Sequence, residues 1–144
     1  KILLITDQHF GVRNDNQYYI DKYKTFYSEK VLPYIDKNKI DTIFCLGDTF
    51  DRRKYVNFYS LDAAKEMWFD PLLKRGVKQY MMVGNHDIYY KNTNEINSID
   101  SLLEAYDNIV PISSSGDYKI GDLNAFMVPW IFSQSTQTVQ TSDD

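Results

Sequence analysis

Three short segments carry side chains able to bind metal or move protons: Asp7-Gln8-His9, Gly47-Asp48 and Gly84-Asn85-His86-Asp87. Each follows an apolar run, respectively Ile2–Thr6, Ile43–Leu46 and Val77–Val83. A Gly-Asn pair after a strand is also ordinary turn chemistry, in which Asn and Asp bond their own backbone. Asp7, His9, Asp48 and Asn85 together offer carboxylate, imidazole and amide oxygen, a ligand set suited to manganese, zinc or iron. Asp7 and His9 are two residues apart, so at a strand end they leave the same side and can grip one ion. The two oxygens of Asp48 allow it to bridge a pair of ions. Such a pair holds the attacking and departing oxygens of a phosphoryl displacement and acidifies bound water. His86 then lies beside the cluster as a proton donor or a stabiliser of phosphoryl charge. Asp87 is placed to fix its tautomer from behind.

The elements that must position these residues read as alternating strands and helices. Lys1–Asp7 is a fully buried strand, Phe10–Gln17 a loop, and Tyr18 to about Asp36 a helix that Pro33 kinks or ends. Ile40–Leu46 is a second buried strand. A polar, basic stretch Asp51–Asn57 leads into a helix over Phe58–Arg75 with Leu61, Ala64, Trp68 and Leu72 inward. Asp70-Pro71 could restart that helix, and Gly76 stops it. Val77–Val83 is the third strand, Asn97–Tyr106 a helix and Ile109–Ile112 a short strand. Tyr118–Ile120 and Leu123–Val128 form a hairpin through Gly121-Asp122. This alternation predicts an α/β layer fold with a mostly parallel central sheet flanked by helices. In such sheets ligands sit outside the carboxyl ends of the strands, where all three segments fall. Unrelated turn residues have no reason to collect on one edge.

The 144 residues allow one domain with a real core. A net charge of −4 gives no global basic field and excludes a simple DNA-coating protein, though not an enzyme with a local basic site. The single cysteine, Cys45, can form no internal disulfide and fits a reducing compartment. No stretch approaches the length of a membrane span. The Ser/Thr/Gln-rich stretch 133–144 reads as a loop or truncated tail after a domain portion spanning 1–132.

In this order and spacing, Asp-x-His, Gly-Asp and Gly-Asn-His-Asp resemble the first three motifs of the calcineurin-like metallophosphoesterases. The resemblance implies that Asp7 and His9 bind a first metal, Asp48 bridges, Asn85 binds a second and His86 is the catalytic histidine. Within that superfamily the chain is most similar to nuclease subunits of recombination and double-strand-break repair complexes, of the SbcD and T-even-phage type. Four features carry that likeness: Asp7-Gln8-His9-Phe10-Gly11, Gly47-Asp48-Thr49-Phe50-Asp51 with Arg53 behind it, Tyr90-Lys91-Asn92, and Pro129-Trp130. It implies a manganese-dependent DNA nuclease, with magnesium, zinc or iron(II) as alternative ions. It also implies an SMC-type, Rad-fifty-like ATPase partner and a homodimer of the nuclease subunit. The corresponding setting is the cytoplasm of a bacterium or phage-infected cell, near the nucleoid.

Two competing readings are a serine/threonine phosphatase and a non-catalytic scaffold on the same fold. Asp51-Arg52 resembles the phosphatase motif, but Arg53 stands where those enzymes have glycine. Scaffolds lose ligands that this chain keeps. The later histidine motifs of the family are absent, because His9 and His86 are the only histidines. The chain is therefore expected to hold the first part of the domain, to bind manganese weakly and to cleave DNA poorly by itself.

Around the motifs, Arg13, Arg52, Arg53, Lys54 and Lys91 are candidates for holding DNA phosphates, Arg53 foremost; solvated loop charge is the alternative for each. Tyr89 and Tyr90 either pack under their loop or stack on a splayed base.

Overall fold

The computed structural model describes residues 1–131, and the expected tail over 133–144 lies outside the described residues. Strand β1 (Ile2–Ile5) leads through a tight turn at Val12–Asp15 to helix α1 (Gln17–Phe26). A π-helical turn (Tyr27–Val31) joins α1 to α2 (Leu32–Asn38). Strand β2 (Thr42–Cys45) and helix α3 (Phe58–Ala64) follow, then a second π-helical turn (Lys65–Phe69) and α4 (Asp70–Lys74). The chain continues as β3 (Lys78–Met82), α5 (Ser98–Leu103), β4 (Ile109–Ile112), β5 (Gly116–Ile120) and β6 (Leu123–Met127).

Strands β1 to β4 form a four-stranded sheet in that order, every neighbouring pair parallel. In register, Ile5 stands beside Cys45 and Cys45 beside Met81, so the three strands that precede the polar segments end together. The expected hairpin is present as the antiparallel pair β5–β6, a separate two-stranded sheet.

Alternation along the strands splits the core in two. Ile43, Cys45 and Met81 face the helices, where Trp68, Phe69 and Leu72 are fully buried. Phe44, Tyr80 and Ile112 point to the opposite face and pack with Met127 of β6. Strand β1 departs from the fully buried strand expected for Lys1–Asp7: Ile2 and Leu4 are exposed, Leu4 by 61%. An apolar run identifies a strand but not its place. Here it lies at the sheet's edge, and no other described strand pairs with its outer side.

Pro33 and Pro71 sit inside continuous helical segments, and neither ends its segment. Each occupies the start of the helix after a π-helical turn. Proline has no N–H for an α-helical bond and crowds the preceding turn. The wider turn accommodates this, with Leu32 N–H donating to Tyr27 O and Asp70 N–H donating to Lys65 O. Two turns packed this way place Tyr27 against Trp68, ring centroids 5.0 Å apart. The stop at Gly76 is as expected, with φ +66° and its N–H donating to Leu73 O.

The stretch expected as a loop at Phe10–Gln17 is more ordered than its composition suggests. Arg13, Asn14 and Asp15 all have φ between +55° and +63°, one turn of left-handed backbone. Each such residue costs roughly 1–2 kcal/mol without compensation. Compensation comes from Arg52, which pairs with Asp15 at 2.9 Å and donates to Asn14 Oδ1, and from Ser60, whose hydroxyl donates to Asp15.

Candidate metal centre

Beyond the strand ends, the first two polar segments stay zipped together by backbone hydrogen bonds. Asp7 N–H donates to Gly47 O (3.1 Å), His9 N–H to Asp48 O (3.0 Å) and Phe10 N–H to Thr49 O (2.9 Å). The third segment joins through His86 N–H, which donates to Asp48 Oδ1 at 2.9 Å. Gly84 is needed for space. A Cβ there would lie 2.3 Å from both Asp48 N and Asp48 Oδ1. The three segments therefore meet over one small volume at the carboxyl end of the sheet. An open cleft of about 390 Å³ reaches Asp7, Asp48 and Asn85 from the side of Trp130.

Asp7, His9 and Asp48 offer ligand atoms that all lie within 4.8 Å of one another. His9 Nε2 is 3.6 Å from Asp7 Oδ1, too far for a hydrogen bond and suited to two ligands of one ion. All three residues have left-handed backbone, with φ +53°, +46° and +55°. Strain of this kind at non-glycine residues persists where surrounding structure over-determines it, and it concentrates at functional sites. Here the interlocked amide bonds supply that constraint.

Asn85 completes the set. Its amide lies against Asp48, one terminal atom 3.0 Å from Oδ2 and 3.3 Å from Oδ1, the other 3.3 Å from Arg53 Nη2. With nitrogen toward Asp48 the amide hydrogen-bonds both neighbours. With oxygen toward Asp48, three oxygens converge, an arrangement that a cation between them would stabilise. His9 Nδ1 is buried without a hydrogen-bond partner, its nearest acidic atom being Asp51 Oδ1 at 3.6 Å. Convergent oxygens, one imidazole and a strained, fixed backbone fit a hard-to-borderline divalent ion.

His86 packs edge-on against His9, ring centroids 4.9 Å apart. Its Nδ1 lies 2.6 Å from Asp51 O, which can only accept, so Nδ1 carries the proton and Nε2 is left to exchange one. The tautomer is thus set by a backbone carbonyl, not by Asp87 as the sequence suggested. Asp87 is fully buried and turned toward backbone. It accepts from Thr49 N–H (3.0 Å), Phe50 N–H (3.3 Å), Gly84 N–H (2.9 Å) and the Ser98 hydroxyl (3.2 Å). Burial pushes its carboxyl up from the ordinary range, and the amides of Gly84 and Phe50 pull it back down. Asp51 was missed as a functional residue because a carbonyl leaves no mark in side-chain type. Gln8, between the candidate ligands Asp7 and His9 in sequence, is buried, and its Nε2 donates to Tyr27 Oη at 2.9 Å.

The chain belongs to the calcineurin-like phosphoesterases. That family's description matches residues 1–136. Two curated relatives are similar. "Exonuclease subunit 1" of Enterobacteria phage T4 is 30% identical over 140 residues, which is 94% of this chain and 40% of the relative. "Putative phosphoesterase 078R" of Invertebrate iridescent virus 3 is 25% identical over 133 residues, 90% of this chain and 35% of the relative. The chain thus spans about two fifths or less of the length of these relatives. Family membership accounts for the α/β layered fold and for a candidate divalent-metal site at its sheet edge. Asp7, His9 and Asp48 are the candidate ligands the fold brings together.

The basic candidates separate. Arg52 is not free for phosphate: Asp15 and Asn14 hold it, and it lies over the Tyr55 ring, 4.9 Å from the centroid. Arg53, Arg13 and Lys91 make no ion pair among the described residues, and Arg53 alone reaches a candidate ligand, Asn85. Arg52→Ala should therefore lower stability by about 1–3 kcal/mol while leaving the salt dependence of DNA binding unchanged. Arg53→Ala should do the reverse, reducing the salt slope by about one with stability within about 0.5 kcal/mol. Chemical denaturation and salt-titrated binding measure both.

Proposed function

We propose that this chain carries the nucleophile-activating side of a metal-dependent DNA nuclease, hydrolysing phosphodiester bonds in recombination and double-strand-break repair. One observation carries the reading: Asp7, His9, Asp48 and Asn85 converge beside a histidine whose Nδ1 is already committed. Asp7 and His9 would hold a first divalent ion, manganese before magnesium, zinc or iron, with Asp48 shared and Asn85 on a second. Bound ions supply Lewis-acid charge stabilisation and a water acidified for attack.

The chain's own residues do the rest. Asp51 O holds the His86 ring with Nδ1 protonated, so Nε2 takes up a proton and presents it to the leaving oxygen without a tautomer change. Asp87 ties the Gly84 and Thr49–Phe50 backbones together and so fixes His86 relative to Asp48. Arg53 neutralises a DNA phosphate at the cluster's edge, with Arg13 and Lys91 further out.

The likeness to an exonuclease subunit supports DNA over other phosphoesters as substrate. The resemblance noted in the sequence supports a homodimer and an SMC-type ATPase partner, acting in the cytoplasm. His86→Ala in the full-length protein tests the mechanism. Manganese-dependent cleavage of linear DNA should fall at least about a hundredfold while manganese affinity is retained. Undiminished cleavage removes His86 from the reaction. No cleavage by the wild-type protein removes the nuclease reading.

A further inference from the structure

A slot of about 150 Å³ opens beside the metal cluster, between the basic stretch after the second motif and the segment after the third. Val56, Tyr89, Ile96 and Leu102 make its apolar walls, and Arg53 and Lys54 stand in the same lining. Ile96 is 50% and Tyr89 39% exposed, so apolar surface is left to water at the mouth. Isolated exposed apolar residues need no explanation, but here they frame a concavity.

The charge around the slot is selective. Of the run Arg52-Arg53-Lys54, only Arg52 is neutralised by an acid among the described residues. Lys54 sits over the Tyr89 ring, Nζ 5.9 Å from the centroid, and Arg53 Nη2 is 3.3 Å from the Asn85 amide. The cationic end of the slot is thus the edge of the metal cluster, and Asp87, next in sequence to His86, lies in its lining. Apolar walls set apart from the cations suit a flat body held a few bonds from an anion, as the sugar holds a nucleotide's base from its phosphate; a phosphorylated serine or threonine carries nothing flat beside its phosphate.

The geometry points to a nucleobase slot: one unstacked base beside the scissile phosphate rests on Tyr89 between Val56 and Leu102, its phosphate at Arg53. This rests on the nuclease reading and adds to it a preference for single-stranded or frayed DNA, because the base must leave its stack to enter. Base–aromatic contact of this kind is sequence-tolerant, so no base preference is expected.

The test uses the full-length protein with manganese and single-stranded oligonucleotides, either intact or carrying one abasic nucleotide stepped past the cleaved bond. Wild type should cleave the intact strand roughly tenfold faster than the strand lacking the base beside the cleaved bond. Tyr89→Ala, which removes the platform, and Ser101→Phe, which fills the slot from an exposed position of α5, should each bring that ratio to near one. In chelator, without turnover, a 2-aminopurine placed at that nucleotide should be quenched on binding wild type and not on binding either variant. An intact-to-abasic ratio near one in wild type, or a ratio that survives both variants, overturns the slot and leaves the nuclease standing. Absence of DNA cleavage by wild type overturns both.

Discussion

Asp48→Asn in the full-length protein should reduce phosphodiester hydrolysis by more than about a hundredfold while leaving the fold intact. Asparagine is the informative replacement. Asp48 has φ +55°, a conformation asparagine tolerates far better than alanine, and the new amide oxygen can still accept from His86 N–H. What disappears is one charge and the second carboxylate oxygen, the pair that lets a single residue serve two ions. Changing a residue that merely orients a ligand already costs about 10–100-fold in metal affinity. Loss of a shared ligand should exceed that. Steady-state hydrolysis against manganese concentration measures the effect, with circular dichroism confirming the fold. Activity within a factor of a few of wild type at every manganese concentration rules out a bridging role.

Asp87→Ala should be the most damaging change to stability near the site. Its carboxylate collects hydrogen bonds from three backbone amides and the Ser98 hydroxyl, those from Thr49 and Phe50 fully buried. Alanine leaves those donors without an acceptor. Each buried donor left without an acceptor costs about 1–3 kcal/mol, so losing the acceptor of several is a large share of the roughly 5–15 kcal/mol typical of a whole domain. Urea unfolding measures it, as a fall in the midpoint. Activity should fall with it, since Gly84 and Thr49 position Asp48 and His86. If Asp87→Ala instead keeps the wild-type midpoint and slows turnover, the residue acts through the His86 ring and the backbone-tying role is wrong.

These roles show which parts of the molecule could be read beforehand. Ile43–Leu46 and Tyr80–Val83 announced strands because buried parallel strands are continuous apolar runs, and the latter strand was legible despite Lys78 and Gln79. Their polar endings announced a shared edge because parallel strands all finish on one side. Asp7, His9, Asp48 and Asn85 were legible as candidate ligands, since side-chain type is the signal, and the fold brings Asp7, His9 and Asp48 within 4.8 Å of one another. Four things were not legible. Leu4 looks like any core leucine, and only the sheet order shows it at an edge. Pro33 and Pro71 read as breaks, and whether a π-helical turn absorbs them depends on how Tyr27 and Trp68 pack. Arg52 and Arg53 are neighbours of one type, yet an acid 37 residues away, Asp15, occupies the first and leaves the second. Backbone roles such as that of Asp51 O leave no sequence trace.

The most direct test of the metal centre is calorimetric titration of manganese into the 144-residue chain, wild type against Asp7→Ala and Asp48→Asn. Asp7, His9, Asp48 and Asn85 converge, but these four groups are too few to close two sites. Wild type should therefore show weak binding that each substitution abolishes. Two tight sites in this chain, or an isotherm unchanged by either substitution, would contradict a metal centre built from these residues.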